Sequence, residues 1–229
     1  MQETLLAKDR LATLGQLAGG VAHQIRNPLA VILNATAVLE HQLPRERHPD
    51  ITAAIAMIQE EVRHANNIVT ALLDYARVKR PARRPVALGD LIDRVLSGPC
   101  VPACIEVQRN VDEGVPIVHI DADQIHDALM NVVLNAVEAM PNGGTLVVTV
   151  GQCDEGIVIE IRDTGHGISP SLAPHLFEPL QSTKPMGVGL GLVTARTFVE
   201  AHGGRIACVP VTRGANFVIR LPLDPNSVV

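Results

Sequence analysis

The chain has 229 residues and a formal net charge of −5, with 47% hydrophobic residues but only 2% aromatic residues. The negative charge and the few aromatic side chains argue against a DNA-binding protein and against a stacking platform for single-stranded nucleic acid. No apolar run approaches the roughly 20 residues that span a bilayer, the N-terminus lacks a signal-peptide core, and the cysteines lack CxxC spacing. We therefore expect a cytoplasmic protein with no nucleic-acid partner and no membrane segment.

Residues 1–78 contain two long helical patterns, separated by prolines in the segment 43–49. Apolar or small side chains recur at steps of three and four, which keeps them on one helix face. Two antiparallel helices cannot enclose a core alone, so the pattern predicts a hairpin that forms a homodimeric four-helix bundle. The predicted seam consists of Leu11, Leu14, Ala18, Val21, Ile25, Pro28, Ile32, Ala35 and Leu39, followed by Ile51, Ile55, Ile58, Val62, Ala65, Val69, Leu72 and Ala76.

His23 is expected on the opposite side of the first helix. At about 100° per residue it lies near 180° from the seam, and Asn27 is its neighbour one turn later. Pro28 removes a backbone donor and should bend the helix there. An exposed histidine is commonly only a surface residue, but beside a proline on a dimeric hairpin it is also a candidate for chemistry.

From about Val86 the chain alternates between strand and helix patterns, after a basic, proline-rich linker over residues 79–85. The capping-box-like Asp121-x-x-Gln124 marks the start of a helix that runs to Met140, and Gly203-Gly204 ends the last helix. These elements predict a mixed α/β sandwich with helices on one face. The other expected elements are a helix over Leu88–Leu96 and strands over Cys104–Val107, Ile117–Ile120, Leu146–Val150, Gly156–Arg162, Ile206–Val209 and Asn216–Leu221.

Three features of this second half point together to a bound nucleotide. Asp163-Thr-Gly-His-Gly167 closes an apolar strand with an acid and two glycines, and Gly187-Val-Gly-Leu-Gly191 opens the last helix. Asn131 and Asn135 lie one turn apart on the preceding helix. A glycine triplet alone is a weak signal, but a helix start can bind phosphates and amide oxygens can ligate Mg²⁺.

Taken in order, the motifs strongly resemble those of the catalytic core of a two-component sensor histidine kinase, over about residues 10 to 222. The segment Leu14–Pro28, LGQLAGGVAHQIRNP, resembles the H box, and Asn131–Ala136 resembles the N box. Asp163–Gly167 and Gly187–Gly191 resemble the two glycine boxes, and Leu176-Phe-Glu-Pro179 the F box. The resemblance implies a Bergerat ATP-binding fold, shared with gyrase-type ATPases, after the hairpin.

The resemblance also implies a domain division and partners. Residues 1–80 would form the dimerisation and phosphotransfer hairpin, 81–85 a linker and 86–229 the ATP-binding domain. Mg-ATP would phosphorylate His23, and the receiver domain of a response regulator would then take the phosphoryl group, with Asn27 able to orient a dephosphorylating water. A sensory domain or partner outside this chain would supply the signal.

Each motif residue then has an expected role. Asp163 should accept the exocyclic N–H of adenine, and the glycines beside it let backbone and purine approach closely. Asn135 would offer an oxygen to Mg²⁺, with Asn131 on the same side. Lys184 can neutralise developing charge, and Phe177 should pack at the base of the ATP lid. The remaining expected contacts are Gly165 and Gly167 at the adenine, and Gly187, Gly189 and Gly191 at the phosphates.

At two positions the sequence departs from patterns of the family or of its ATPase relatives, and these departures bear on alternative functions. Gln24 follows His23 where many family members have Glu or Asp, and an amide is not a general base; this motivates an ATP-binding pseudokinase or a phosphatase-biased scaffold as the alternative. Asn131 stands where the related ATPases have a water-activating Glu, which disfavours a gyrase-type ATPase. The glycine boxes disfavour a purely helical interaction module. The segment between Gly167 and Gly187 is short, so a compact ATP lid is expected.

Overall fold

In a computed structural model of the chain, the structure describes residues 25–42, 49–76, 80–98, 101–154, 156–179 and 189–223. The chain divides into two compact units. The first contains the predicted hairpin, and the second contains the predicted sheet. Each unit is described by itself below.

The first unit is an antiparallel helical hairpin. Residues 25–42 are helical (α1), and the second helix (α2) spans Pro49–Ala76. The Arg26 guanidinium donates to Thr70 Oγ1 at 2.9 Å, and Gln59 donates to Glu40 at 3.2 Å. Early residues of α1 therefore meet late residues of α2, as the sequence predicts.

The predicted seam is only partly buried within one chain. On α2, three seam positions a heptad apart are buried, and two others stay more than 40% exposed. On α1, the buried residue is Thr36, which lies about 40° around the helix from the seam residue Ile32. The buried seam residues are Ile55, Val62 and Val69; the exposed ones include Ile25, Ile32, Leu39, Ile51 and Ile58. The hairpin thus leaves a heptad-spaced apolar stripe uncovered.

The second unit is built on a five-stranded sheet with one parallel and three antiparallel pairs of neighbouring strands. A separate, two-stranded antiparallel sheet is formed by the first and third strands of this unit. The strands are β1 (Arg84–Val86), β2 (Ile105–Val111), β3 (Val118–Ile120), β4 (Gly144–Cys153), β5 (Gly156–Asp163), β6 (Arg205–Val209) and β7 (Asn216–Leu221). The order in the five-stranded sheet is β2-β4-β5-β7-β6, and β2 with β4 is the parallel pair. The helices are α3 (Leu88–Leu96), α4 (Ala122–Glu138) and α5 (Gly191–Ala201), with a 3₁₀ turn over Ala173–His175.

The core lies on one face of the sheet. Because side chains alternate along a strand, every second residue of the central strands points to the helices, and α4 and α5 contact β5 and β7. These strand residues are at most about 3% exposed and are Leu146, Val148, Val150, Ile157, Ile159, Ile161, Phe217, Ile219 and Leu221. The predicted α/β sandwich with helices on one face is confirmed.

Three strands differ from their sequence predictions. Strand β4 begins two residues before and ends three residues after its expected range, at Gly144 and Cys153. Strand β2 continues to Val111, four residues beyond its expected end. Strand β1 takes in Arg84 and Pro85, which had been expected in the linker, because both pair with β3. The domain boundaries themselves stay a prediction. Within the described ranges, no helix is long and apolar enough to cross a membrane.

Candidate nucleotide-binding site

Asp163 is the last residue of β5 and is only 1% exposed. Its Oδ1 accepts hydrogen bonds from the backbone N–H groups of Gly165, at 2.8 Å, and Ala215, at 3.2 Å. Both backbone donors reach the same oxygen. The carboxylate is therefore held in one orientation, with Oδ2 as the atom that can accept a bond from a ligand.

The environment of Asp163 disfavours its charge. Burial raises the pKa of this carboxyl above its ordinary value of 3.8. The bonds from Gly165 and Ala215 and the nearby His166 act in the opposite direction, but the net pKa shift is upward. A buried carboxylate that is held by backbone donors and carries a raised pKa is typical of a functional position.

The loop after Asp163 packs closely on the end of α4. The backbone N–H of His166 donates to the carbonyl oxygen of Ala139 at 3.2 Å, and a side chain at Gly165 would overlap that same carbonyl. Gly167 has a φ of +75°, a left-handed conformation that favours glycine. The first glycine motif is thus required by the local backbone.

The structure adds two contributors that the sequence did not reveal. The loop before β7 supplies the Ala215 N–H to Asp163, and Gly214 fits there because a side chain would overlap the Asp163 carbonyl. Thr164 accepts a hydrogen bond from the backbone of Thr145 at 2.9 Å. The glycine of the Gly214-Ala215 pair, just before β7, was a sequence signal for a close approach of the backbone. Nothing in the sequence marked Thr164 apart from its position next to Asp163.

The second glycine motif meets the N box at the start of α5. Gly191 is the first residue of α5, and no side chain caps this helix start. A Cβ added to Gly191 would lie 3.1 Å from Oδ1 of Asn131, which is half-buried on α4. Gly189, just before, has a φ of +68°. Backbone N–H groups at an uncapped helix start and a neutral amide therefore lie side by side, an arrangement suited to phosphate oxygens.

Asn135 lies one turn after Asn131 on α4. Its Nδ2 donates to the backbone oxygen of Asn131 at 2.9 Å. This bond directs the amide nitrogen toward the helix backbone. The oxygen is then the end of the amide that can ligate a hard cation such as Mg²⁺.

Phe177, in the F box, contacts α5 through the side chain of Arg196. The ring is half-buried, and the Arg196 guanidinium carbon lies 6.0 Å from its centroid, at the outer limit of a cation–π contact. Arg196 is also paired with Glu200 at 2.7 Å. These contacts agree with packing of Phe177 rather than ligand binding.

Five further residues were predicted for the site from sequence. His23, Gln24, Lys184 and Gly187 lie outside the described residues. Asn27 is exposed on α1.

Comparison with known protein families gives two matches. The model for the "Histidine kinase-, DNA gyrase B-, and HSP90-like ATPase" family matches residues 120–225. The model for the "His Kinase A (phospho-acceptor) domain" matches residues 13–81. The two matches follow one another in the same order as the hairpin and the sheet.

Individual relatives agree with this assignment. The chain is 31% identical over 231 residues to the signal transduction histidine-protein kinase AtoS of Escherichia coli K12, covering 98% of this chain and 37% of that protein. A solved mycobacterial sensor histidine kinase, MprB, is 32% identical with a TM-score of 0.56, covering 62% of this chain and 97% of that one. The histidine kinase ThkA, solved in complex with the response regulator protein TrrA, is 25% identical with a TM-score of 0.70, covering 96% and 65%. The chain spans half or less of the length of the curated relatives AtoS and ZraS.

Proposed function

Since the chain belongs to the family of two-component sensor histidine kinases, we propose that it autophosphorylates His23 from Mg-ATP and passes the phosphoryl group to an aspartate of a response regulator. His23 is then a phosphohistidine in the working cycle. The response regulator is proposed by analogy with ThkA, whose structure was solved with such a partner. A cytoplasmic location stays a prediction, as does a sensory domain or partner outside this chain.

The buried Asp163 is the observation that carries the proposal. Its Oδ1 is occupied by two backbone donors, and its Oδ2 can accept the exocyclic N–H of adenine. A charged acceptor in a buried pocket discriminates strongly between a base that offers an N–H there and one that does not, because an unpaired buried carboxylate is costly. This supports ATP as the nucleotide, and Gly165 and Gly167 are proposed to line the adenine side of the site.

The start of α5 would hold the phosphates. Its N–H groups and the partial positive charge of a helix N-terminus favour anions. Gly187, Gly189 and Gly191 are proposed to offer backbone N–H groups there, and Lys184 a positive charge. The contact between Asn131 and Gly191 supports this assignment, because it brings a neutral hydrogen-bonding side chain to the same helix start.

The residues also fit a magnesium ion. Asn135, whose amide nitrogen is directed to the helix, would hold it through the amide oxygen together with phosphate oxygens and waters. When bound, Mg²⁺ would neutralise charge on the phosphates. Asn131 and Asn135 would orient the phosphate chain so that its terminal phosphorus faces an incoming imidazole nitrogen.

The chemistry favours transfer to a protein over hydrolysis. A water-activating base must accept a proton, and the amide of Asn131 cannot do so. His23 would attack through one ring nitrogen while the other loses its proton, and Gln24 can only orient the ring. Gln24 is therefore the observation that favours the alternative, an ATP-binding pseudokinase or a phosphatase-biased scaffold in which Asn27 orients a hydrolytic water.

A homodimer is proposed from the hairpin. The uncovered stripe of α1 and α2 repeats every seven residues, and the antiparallel hairpin brings Leu39 level with Ile58 because Glu40 bonds Gln59. Two such stripes facing each other would make the core layers of a four-helix bundle. These side chains are 40–49% exposed in one chain, so covering the rest of each would contribute about 1 kcal/mol, roughly half of the value for full burial.

Incubation with γ-labelled Mg-ATP tests the proposed function. A kinase accumulates acid-labile label on the protein with little free phosphate, and a response-regulator receiver domain removes that label. A gyrase-type ATPase releases phosphate without labelling the protein, and a pseudokinase binds nucleotide with almost no label. Nucleotide binding without acid-labile label would contradict the proposal.

A further inference from the structure

The chain enters the second unit through residues 80–83, and two hydrogen bonds tie this segment to helix ends. The backbone N–H of Ala82 donates to Oδ2 of Asp121 at 2.9 Å, and the Arg83 guanidinium donates to the carbonyl oxygen of Ala201 at 3.1 Å. Asp121 is the N-cap of α4, and Ala201 is the last residue of α5. We call these two bonds the linker anchor.

His202 joins the same two helix ends. Its ring is 1% exposed; Nε2 accepts from the backbone N–H of Asp121 at 2.9 Å, and Nδ1 lies 2.7 Å from the carbonyl oxygen of Phe198. Only a neutral ring with its proton on Nδ1 satisfies both contacts. Burial lowers the pKa of His202, the facing Arg83 lowers it further, and Asp121 acts to raise it. The end of α5 and the start of α4 are thus fixed to each other under the attachment points of the linker.

The two helices that receive the linker anchor are those that carry the proposed site. Asn131 lies on α4, and Gly191 begins α5. On the hairpin side, only residues 77–81 separate Ala76, the last residue of α2, from Ala82. Among the residues that the structure describes, Ala82 and Arg83 are therefore the first after α2 that hydrogen-bond to the helix ends of the second unit.

We propose that Asp121 and Arg83 are positioning residues for phosphoryl transfer, because they fix the point and direction from which the chain leaves the second unit toward the hairpin that carries His23. This inference rests on the proposed function. Transfer requires His23 to reach the terminal phosphate, and a short connection with a fixed origin raises the effective concentration of that arrangement. Releasing the linker anchor leaves the nucleotide-binding residues in place, so it lowers kcat and not the affinity for ATP.

The side chain of Asp121 allows a selective test. Its Oδ1 accepts the helix-capping bonds from Asp123 and Gln124, both at 3.2 Å, and its Oδ2 accepts the bond from Ala82. Asparagine is an equally good N-cap, so Asp121→Asn keeps the cap. It presents an N–H group to the Ala82 N–H and breaks that half of the linker anchor.

We expect Asp121→Asn to lower kcat of autophosphorylation about three- to tenfold, the range that one hydrogen bond gives in an equilibrium, with an unchanged KM for ATP. Arg83→Gln should do the same, and Arg83→Lys should retain part of the rate because it keeps a donor. Arg84→Gln is the matched control, since it removes the same charge from an exposed neighbour in β1. Amide hydrogen exchange at Ala82, followed in the full chain, reports the anchor without reference to catalysis and should accelerate by a similar factor in Asp121→Asn.

The outcomes separate this inference from the function on which it rests. A wild-type chain that takes up no label overturns the proposed function and the positioning role with it. A labelled wild type with unchanged kcat in Asp121→Asn, despite faster exchange at Ala82, overturns the positioning role alone. A fall in kcat that Arg84→Gln reproduces, or that comes with an equal rise in KM, also overturns it.

Discussion

Replacing Asp163 with asparagine separates nucleotide recognition from folding. Asparagine is nearly the same size, and its Oδ1 can still accept the bonds from Gly165 and Ala215 that hold the wild-type carboxylate. The change falls on the other atom, where Oδ2 becomes an NH₂ group that would face the exocyclic amine of adenine. A charge-assisted hydrogen bond is replaced by two opposing donors.

The expected loss is about 1.5–3 kcal/mol, or roughly ten- to hundredfold in affinity for ATP. Folding should not suffer. Because the pKa of Asp163 is raised in the folded state, the native protein holds this proton more tightly, and stability falls as the pH rises from 3.8 through the folded pKa. At neutral pH a neutral asparagine avoids that cost, so the free energy of unfolding should be equal to or above that of the wild type.

Calorimetric titration with a non-hydrolysable ATP analogue measures the affinity, and urea denaturation measures the stability. Asp154→Asn, at an exposed turn position between β4 and β5, is the matched control and should change neither quantity. Unchanged affinity in Asp163→Asn would mean that adenine is recognised elsewhere. Affinity and stability lost together would mean that Asp163 is mainly structural.

Three further expectations concern the hairpin and the buried histidine. Gln24→Glu should speed labelling of His23 without changing the affinity for ATP. General-base catalysis is worth about 10²–10⁴-fold, but the gain should be smaller because domain rearrangement can limit the rate first. The initial rate of acid-labile labelling measures it, and no gain would show that proton removal is not limiting. Ile58→Glu should convert the 24.5 kDa chain from a dimer to a monomer in sedimentation equilibrium at micromolar concentration, whereas Met57→Glu, 100° away around α2, should not; a monomeric wild type would refute the proposed bundle. His202 has a folded pKa below 6.5, so the unfolded chain binds its proton more readily and stability is lost as the pH falls below about 6.5; the free energy of unfolding in urea at pH 5.5 and 7.5 should therefore differ less in His202→Gln than in the wild type, and equal pH dependence would contradict the neutral ring.

The elements that followed from sequence are those whose burial is local and periodic. Helix α3 begins and ends at the predicted residues, Leu88 and Leu96, and four of its five aliphatic side chains are buried in the core. Strand β2 was underestimated because it lies at a sheet edge, and most of its side chains are exposed, so no alternation marked its end. Strand β1 was missed because only its pairing with β3 orders Arg84 and Pro85.

In the candidate site, too, the residues in local motifs were predictable and those that act through distant contacts were not. Asp163, Asn131 and the glycines were recognisable because each lies in a short motif, and the structure brings Asn131 against Gly191. The backbone donor from Ala215 and the ring of His202 were not recognisable, because they reach across 52 and 81 residues of sequence. The sequence pattern at Asp121 correctly predicted a helix cap. In a capping box the side chain of Gln124 would accept a bond from the backbone N–H of Asp121, but here the acceptor is the ring of His202.

The central claim is that His23 receives the γ-phosphoryl group of ATP. The most direct measurement is the initial rate of acid-labile phosphate incorporation at saturating Mg-ATP, in the wild type and in His23→Gln. We predict a labelled wild type and no label in His23→Gln, with equal affinity of both chains for a non-hydrolysable ATP analogue because the substitution lies outside the nucleotide-binding unit. Equal labelling of the two chains, or a wild type that binds the nucleotide and takes up no label, would contradict it.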